Sequence, residues 1–184
     1  MPASSAVPTV RPDPSFRQEV ERITGLKIAP CFHCNKCSGG CPVSFAADFA
    51  PNRIVRMVQM GMRDAVLRSA TIWLCASCET CSTRCPNEVD IAGLMDGLRQ
   101  MARREKVLPA IPEAPLFHEA FLSAVRSRGR VYELGMLARY RMKAGDLFRD
   151  AGLGWEMFKR GKLRLLPGGV RDRKAVRAMF KKGN

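Results

Sequence analysis

The eight cysteines of this 184-residue chain fall in two runs, Cys31-Phe-His-Cys34-Asn-Lys-Cys37-Ser-Gly-Gly-Cys41-Pro42 and Cys75-Ala-Ser-Cys78-Glu-Thr-Cys81-Ser-Thr-Arg-Cys85-Pro86. One C-x2-C-x2-C-x3-C-P pattern thus occurs twice, 44 residues apart, with no cysteine elsewhere. Thiolates at these spacings serve one of three chemistries. A disulfide framework needs an oxidising compartment. Residues 1–16 carry Ser, Pro and Asp but no apolar stretch, so no export signal is expected. Cysteines two residues apart in a tight loop also make poor disulfide partners. Zinc takes four thiolates tetrahedrally, usually from two C-x2-C hairpins, and three cysteines at successive x2 spacing with a fourth before proline fit that plan badly. The third chemistry is iron–sulfur.

The spacing matches the bacterial-type ligand run for [4Fe-4S] clusters, in which the fourth cysteine serves the other cluster. Carried over, one cluster is expected on Cys31, Cys34, Cys37 and Cys85, and the other on Cys75, Cys78, Cys81 and Cys41. Such crossing would tie two distant loops together and link cluster binding to folding. The small neighbours Ser38, Gly39, Gly40, Ala76, Ser77, Ser82 and Thr83 would let backbone amides approach cluster sulfurs and tune them. His33, between two ligands, is a candidate to tune a cluster or carry a coupled proton, or simply a surface loop residue. His118 lies far from both runs and is expected to pack or face solvent.

Helices must position these loops. Pro14–Thr24 reads as a short helix with Phe16, Val20 and Ile23 spaced to pack. Pro51 and Asn52 open a stretch through Leu67 with Ile54, Val58, Met62 and Val66 at i+4 spacing, and Arg56, Gln59 and Arg63 on the other face. Met57, Met60 and Met62 are assigned to the core rather than to a docking surface. Ser69 is placed to cap a helix Ala70–Trp73, and Asp90 to cap Ile91–Arg104, whose inward stripe is Leu94, Leu98 and Met101. Strand signals are almost absent, so the fold class is mostly α.

Composition sets the bounds. Apolar residues are 46% of the chain and charged ones 26%, which excludes wholesale disorder. The longest uncharged run, Cys37 to Ala47, is too short and too polar to cross a bilayer, so a cytoplasmic protein without a transmembrane segment is expected. The net charge of +14 is unevenly placed: Ala102–Asn184 holds 20 basic and 8 acidic residues, against 11 and 9 before it. Three prolines in Val107–Pro115 mark a linker. Helices are expected over Leu116–Arg126, Val131–Lys143 and Asp172–Lys182, with shorter pieces broken by Gly145, Gly152, Gly154, Gly161 and the Pro167-Gly-Gly169 turn.

Three parts follow: a flexible N-terminus (1–13), a dicluster domain (14–106) and a basic helical arm (107–184). The arm has Phe117, Phe121, Leu134, Leu137, Tyr140, Leu147, Phe148, Trp155 and Phe158 but little room for a core of its own. Docking on another subunit explains both its aromatics and its charge. Phe117, Phe121, Tyr140, Trp155 and Phe158 are the expected anchors.

The doubled motif, the helix Pro51–Ala70, Thr71-Ile-Trp-Leu-Cys75 and Cys85-Pro-Asn-Glu-Val-Asp-Ile91 resemble the C subunit of heterodisulfide reductase. The likeness continues through Gly129-Arg-Val-Tyr-Glu-Leu-Gly135 and Gly161-Lys-Leu-Arg-Leu-Leu-Pro167. It implies an α-helical ferredoxin domain that relays electrons between a flavin-bearing A subunit and a catalytic, disulfide-reducing B subunit, within a hetero-oligomer. The family's catalytic subunit uses adjacent Cys-Cys pairs, and none occurs here, so no substrate site is expected on this chain. The cluster motif alone also suits an iron–sulfur subunit of another flavin- or quinone-linked dehydrogenase. A nucleic-acid-binding metalloprotein would account for the basic arm, but no recognition-helix or RNA-binding signature accompanies it, and no nucleic-acid partner is expected.

Overall fold

Prolines and side-chain caps place the helix starts of the N-terminal half. The computed structural model describes residues 13–145, 151–162 and 168–182, which form helices and loops with no strand among them. The described residues separate into two compact units at Ile111 and Pro112. None of the described helices is long and apolar enough to cross a membrane.

The first unit holds α1 (Pro14–Thr24), α2 (Lys36–Gly39), α3 (Pro51–Gln59), α4 (Arg63–Arg68), α5 (Thr71–Leu74), α6 (Thr80–Thr83) and α7 (Ile91–Arg104). Asp13 caps α1 by accepting from the Ser15 N–H at 2.9 Å, with Pro14 at the first helical position. Asp90 caps α7 through the Gly93 N–H at 2.8 Å. These are the expected boundaries. α1, α4 and α5 pack on α7, and α3 packs on α1 and α4. Between them lie Phe16, Val20, Ile28, Ile54, Val55, Val58, Val66, Leu67, Ile72, Leu94, Leu98 and Met101, all buried. Each such side chain contributes about 1.5–3 kcal/mol by leaving water.

Two local expectations need correction. The single helical stretch from Pro51 to Leu67 is two helices, because Gly61 turns left-handed (φ 75°) between α3 and α4. The backbone of Asp13 crosses there: its N–H donates to the Met60 carbonyl at 3.3 Å, and a Cβ on Gly61 would lie 2.5 Å from the Asp13 carbonyl oxygen. Only glycine admits both the turn and the crossing. Met57 is buried as expected, while Met60 and Met62 at the turn are half-buried. Arg63 also leaves the outer face to pair with Glu19 and Glu105.

The second correction concerns α5. Ser69 does accept from the Thr71 N–H at 3.1 Å. The larger cap is Asp48, whose carboxylate accepts from Ser69 Oγ, Ala70 N, Thr71 N and Thr71 Oγ1 at 2.6–2.9 Å. Partial burial pushes the Asp48 carboxyl up, but these hydrogen bonds outweigh it and hold the group below its ordinary value. A depressed pKa contributes stability that is present above the unfolded value near 4 and lost as pH falls through the folded value. Asp48→Asn is therefore expected to lower stability by about 2 kcal/mol at pH 7. In chemical denaturation, that gap from wild type should close below about pH 4.

The second unit contains α8 (Glu113–Arg128), α9 (Glu133–Ala144), α10 (Ala151–Lys159) and α11 (Arg173–Lys182). α9 and α11 pack on α8. Gly129 ends α8 left-handed (φ 78°), and a Cβ there would strike Val170, whose N–H donates to the Arg128 carbonyl at 3.2 Å. Phe117 meets Tyr140 edge-on at 5.7 Å, and Arg128 lies over the Tyr132 ring at 4.9 Å. Gly152 and Gly154, expected to break helices, lie inside α10; Gly145 and Gly161 do mark ends. Ala120 is the one buried hydrophobic residue described in this unit. Residues 1–12, Leu147, Phe148 and Pro167 lie outside the described residues.

Candidate metal centre

Each cysteine run folds into the same local structure. The residue before the second cysteine takes positive φ (His33 60°, Ser77 50°), as does the residue after it (Asn35 68°, Glu79 60°). Four residues of helix follow, α2 in the first run and α6 in the second, and these two helices pack on each other. Left-handed turns on either side of a cysteine reverse the chain tightly enough to bring three thiols of one loop around one space.

The serine after the third cysteine ties each loop to the helix that follows. Ser38 Oγ accepts from the Asn52 N–H at 3.0 Å and donates to Asn52 Oδ1 at 2.7 Å. Ser82 Oγ accepts from the Ala92 N–H at 3.1 Å and donates to Asp90 Oδ1 at 2.8 Å. Asn52 and Ala92 are both the second residue of their helices, so α3 and α7 stand in equivalent places behind equivalent loops.

A second tie comes from farther along. Gln59, ninth in α3, donates its amide N–H to the carbonyls of Ile28 (3.2 Å) and Cys31 (3.5 Å). Its own carbonyl oxygen is left to accept from His33 Nε2 at 2.7 Å. Arg99, ninth in α7, donates to the Cys75 carbonyl at 3.3 Å and to Ser77 Oγ at 2.9 Å. His33 and Ser77 are counterparts, as are Cys31 and Cys75. His33 is half-buried with Nδ1 4.0 Å from Cys31 Sγ, so it faces a thiol rather than bulk water.

The thiols gather in two cavities of the first unit. One is lined by Cys31, Cys34, Cys37 and Cys85 with His33, Asn35, Asn52 and Ile91. The other is lined by Cys41, Cys75, Cys78 and Cys81, with Pro51, Thr71 and Met95 among its apolar walls. Each cavity takes three cysteines from one run and the fourth from the other. Asn87, just past Cys85, donates to the Pro30 carbonyl just before Cys31, which holds the end of the second run against the start of the first. Arg84 and Gly40, the counterparts before the fourth cysteines, also touch: a Cβ on Gly40 would lie 2.5 Å from Arg84 Nη1. Among the described residues no three His, Cys, Asp or Glu side chains converge on a point suited to a single ion. Four soft sulfur donors line each cavity, a donor set that fits an iron–sulfur group.

The cysteines are not equivalent electrostatically. Burial pushes the thiols of Cys37 and Cys81, third in each run, above the ordinary value, Cys81 to about 11. A metal that takes these thiolates must therefore displace protons that burial favours. The Thr80 hydroxyl 3.4 Å from Cys78 lowers that exposed thiol instead. The Val89 N–H donates to Cys85 Sγ at 3.3 Å. Gln59, Arg99, Asn87 and Asp48 were not legible as site residues from the motifs. The signal for Gln59 and Arg99 is their equal distance from the helix starts at Pro51 and Ile91. His118 is half-buried beside Phe117 and belongs to the second unit.

Residues 27–89 match the family model described as a 4Fe-4S dicluster domain, so this part of the chain is an iron–sulfur domain. Among curated relatives, the C subunit of the ferredoxin/F(420)H(2)-dependent CoB-CoM heterodisulfide reductase of Methanosarcina acetivorans is 36% identical over 98 residues, covering 53% of this chain and 59% of that one. The iron-sulfur C subunit of the Methanopyrus kandleri CoB–CoM heterodisulfide reductase is 31% identical over 93 residues, 50% of this chain and 46% of that one. The C subunit of the H(2):CoB-CoM heterodisulfide,ferredoxin reductase of Methanothermobacter marburgensis is 29% identical over 93 residues, 50% and 48%. The match thus spans about half the length of these relatives, and meets the resemblance to the C subunit of heterodisulfide reductase drawn from the motifs.

Proposed function

We propose that this chain is the electron-relay subunit of a cytoplasmic heterodisulfide reductase-like oxidoreductase complex and carries two [4Fe-4S] clusters. Cys31, Cys34, Cys37 and Cys85 hold one; Cys75, Cys78, Cys81 and Cys41 hold the other. The observation that carries this reading is the composition of the two cavities, each with three cysteines from one run and the fourth from the other. When bound, such clusters supply reversible one-electron transfer. The chain's own residues fix the loops: Ser38 and Ser82 moor them to helix N-termini, and Gln59 and Arg99 grip the first-cysteine carbonyls. Apolar walls at Pro51, Ile91 and Met95 back the two cavities, while Cys34 and Cys78 lie at their exposed rims.

The relay works between neighbours, a flavin-bearing A subunit and a catalytic B subunit. The basic second unit is the docking arm. Phe117, Phe121, Trp155 and Phe158 are 41%, 41%, 60% and 42% exposed, too much apolar surface for a solvated tail. Tyr140 is half-buried against Phe117 and braces that anchor. Protein purified anaerobically is expected to contain about eight irons and eight acid-labile sulfides per chain. Stoichiometric zinc without sulfide would overturn the reading. The charge of the arm also suits nucleic acid. That function would give salt-sensitive binding to generic DNA and no co-purifying redox subunits.

A further inference from the structure

The two loops are near copies, so the places where the copies differ in charge set the clusters apart. At the ninth position of the following helix, the first loop is gripped by a neutral amide, Gln59, and the second by a guanidinium, Arg99. Arginine stays charged at any working pH. Arg99 is only 13% exposed, and its Nε is buried without a hydrogen-bond partner. Its charge bears on the Cys75 carbonyl and Ser77 hydroxyl, within one residue of a thiol that lines the second cavity.

Three carboxylates stand nearby: Glu79, next to Cys78 in the loop itself, is exposed, so solvent screens it. Asp96 lies 3.5 Å from Arg99 but is 57% exposed, where solvent screens it. Asp90 faces the loop through Ser82, but it also accepts from the Gly93 N–H at the start of α7, where the helix dipole meets its charge. The first loop carries Lys36, which is exposed and screened in the same way, and among the described residues no charged side chain takes the place of Arg99 there, where Gln59 and His33 complete the contact.

We propose that Arg99 is a positioning residue that makes the centre in the second cavity easier to reduce than the centre in the first. This rests on the two-cluster reading above and needs one centre on Cys31, Cys34 and Cys37 and another on Cys75, Cys78 and Cys81, whichever run supplies each fourth ligand. One electron from a low-potential donor adds one negative charge at that cavity, and a fixed cation beside it favours the charged state. At an effective dielectric of about 20, a unit charge a few residues' width away changes such an equilibrium by more than about tenfold. Electrons passing through the chain therefore settle on the Cys75 side.

The test uses the full chain with its clusters, titrated with dithionite and followed by electron paramagnetic resonance. Cys78→Ser identifies the signal of the second cavity. Arg99→Gln, which copies the chemistry of the first loop, should weaken reduction of that signal by about tenfold or more, equivalent to about 59 mV for one electron. Arg99→Lys keeps the charge but not the fork, and should stay near wild type in potential. A merely structural grip would make lysine and glutamine equally disruptive. Gln59→Arg should move the other signal the opposite way, which keeps the test open where Arg99→Gln fails to fold. Unmoved midpoints with iron and sulfide retained, or a shift confined to the signal that Cys78→Ser spares, would overturn the assignment to Arg99. Failure of the two-cluster reading shows separately, as wild-type protein lacking sulfide, and this inference then falls with it.

Discussion

Cys85→Ser is expected to destroy the centre of the run it does not belong to. Cys85 lines the cavity of Cys31, Cys34 and Cys37, and the Asn87 contact with Pro30 holds it there. The variant should lose roughly half of its iron and sulfide, and the signal that survives should be the one that Cys78→Ser removes. Cys41→Ser should give the complementary loss, sparing the signal that depends on Cys34. Local ligation predicts the reverse, with Cys85→Ser and Cys78→Ser removing one and the same signal. Paired iron analysis and paramagnetic resonance of the three variants decides between them.

The second large effect concerns assembly. A chain ending at Ile111 keeps all eight cysteines and every buried hydrophobic residue described except Ala120. Its clusters and melting temperature should therefore stay close to those of the full chain, while capture of partner subunits should fall to background. Buried aromatics at such an interface supply most of the affinity, and rim charges mainly set association rate and salt dependence. Trp155→Ala, at the most exposed of the aromatic anchors, should weaken assembly about 30-fold or more, the effect of losing a hot spot of about 2 kcal/mol. If the shortened chain still co-purifies with its partners at full stoichiometry, the second unit is not the interface.

What the amino-acid order discloses here depends on how local the physics is. The starts of α1, α3 and α7 follow from Pro14, Pro51 and Asp90, because a cap acts within three residues. The cysteine spacing foretells which thiols share a cavity, since the motif carries its own geometry. The break at Gly61 does not show in a periodic apolar pattern, because it depends on a chain segment 48 residues earlier crossing above it. Asp48 caps a helix 23 residues downstream, beyond any local capping signature. Gln59 reads as an outer-face residue until the two helices are aligned on their first residues. Gly152 and Gly154 look like breakers, yet two glycines at about 1 kcal/mol each do not end a helix whose other residues favour it.

Exchange of the fourth cysteine between equivalent loops is the pattern of a two-fold interface, in which residue i of one half meets j of the other and j meets i. In this chain both halves lie on one polypeptide, with α2 against α6 near the join. The segment at Met60–Met62, besides making the turn beneath Asp13, then acts as a tether. It holds the second half near the first at an effective concentration on the order of millimolar, typical of short linkers. Cutting the chain there removes no thiol from either cavity. It converts the filling of both from an intramolecular event into a bimolecular one, so cluster formation by the separated halves should rise with the square of dilute peptide concentration, each half useless alone and complete only as a pair.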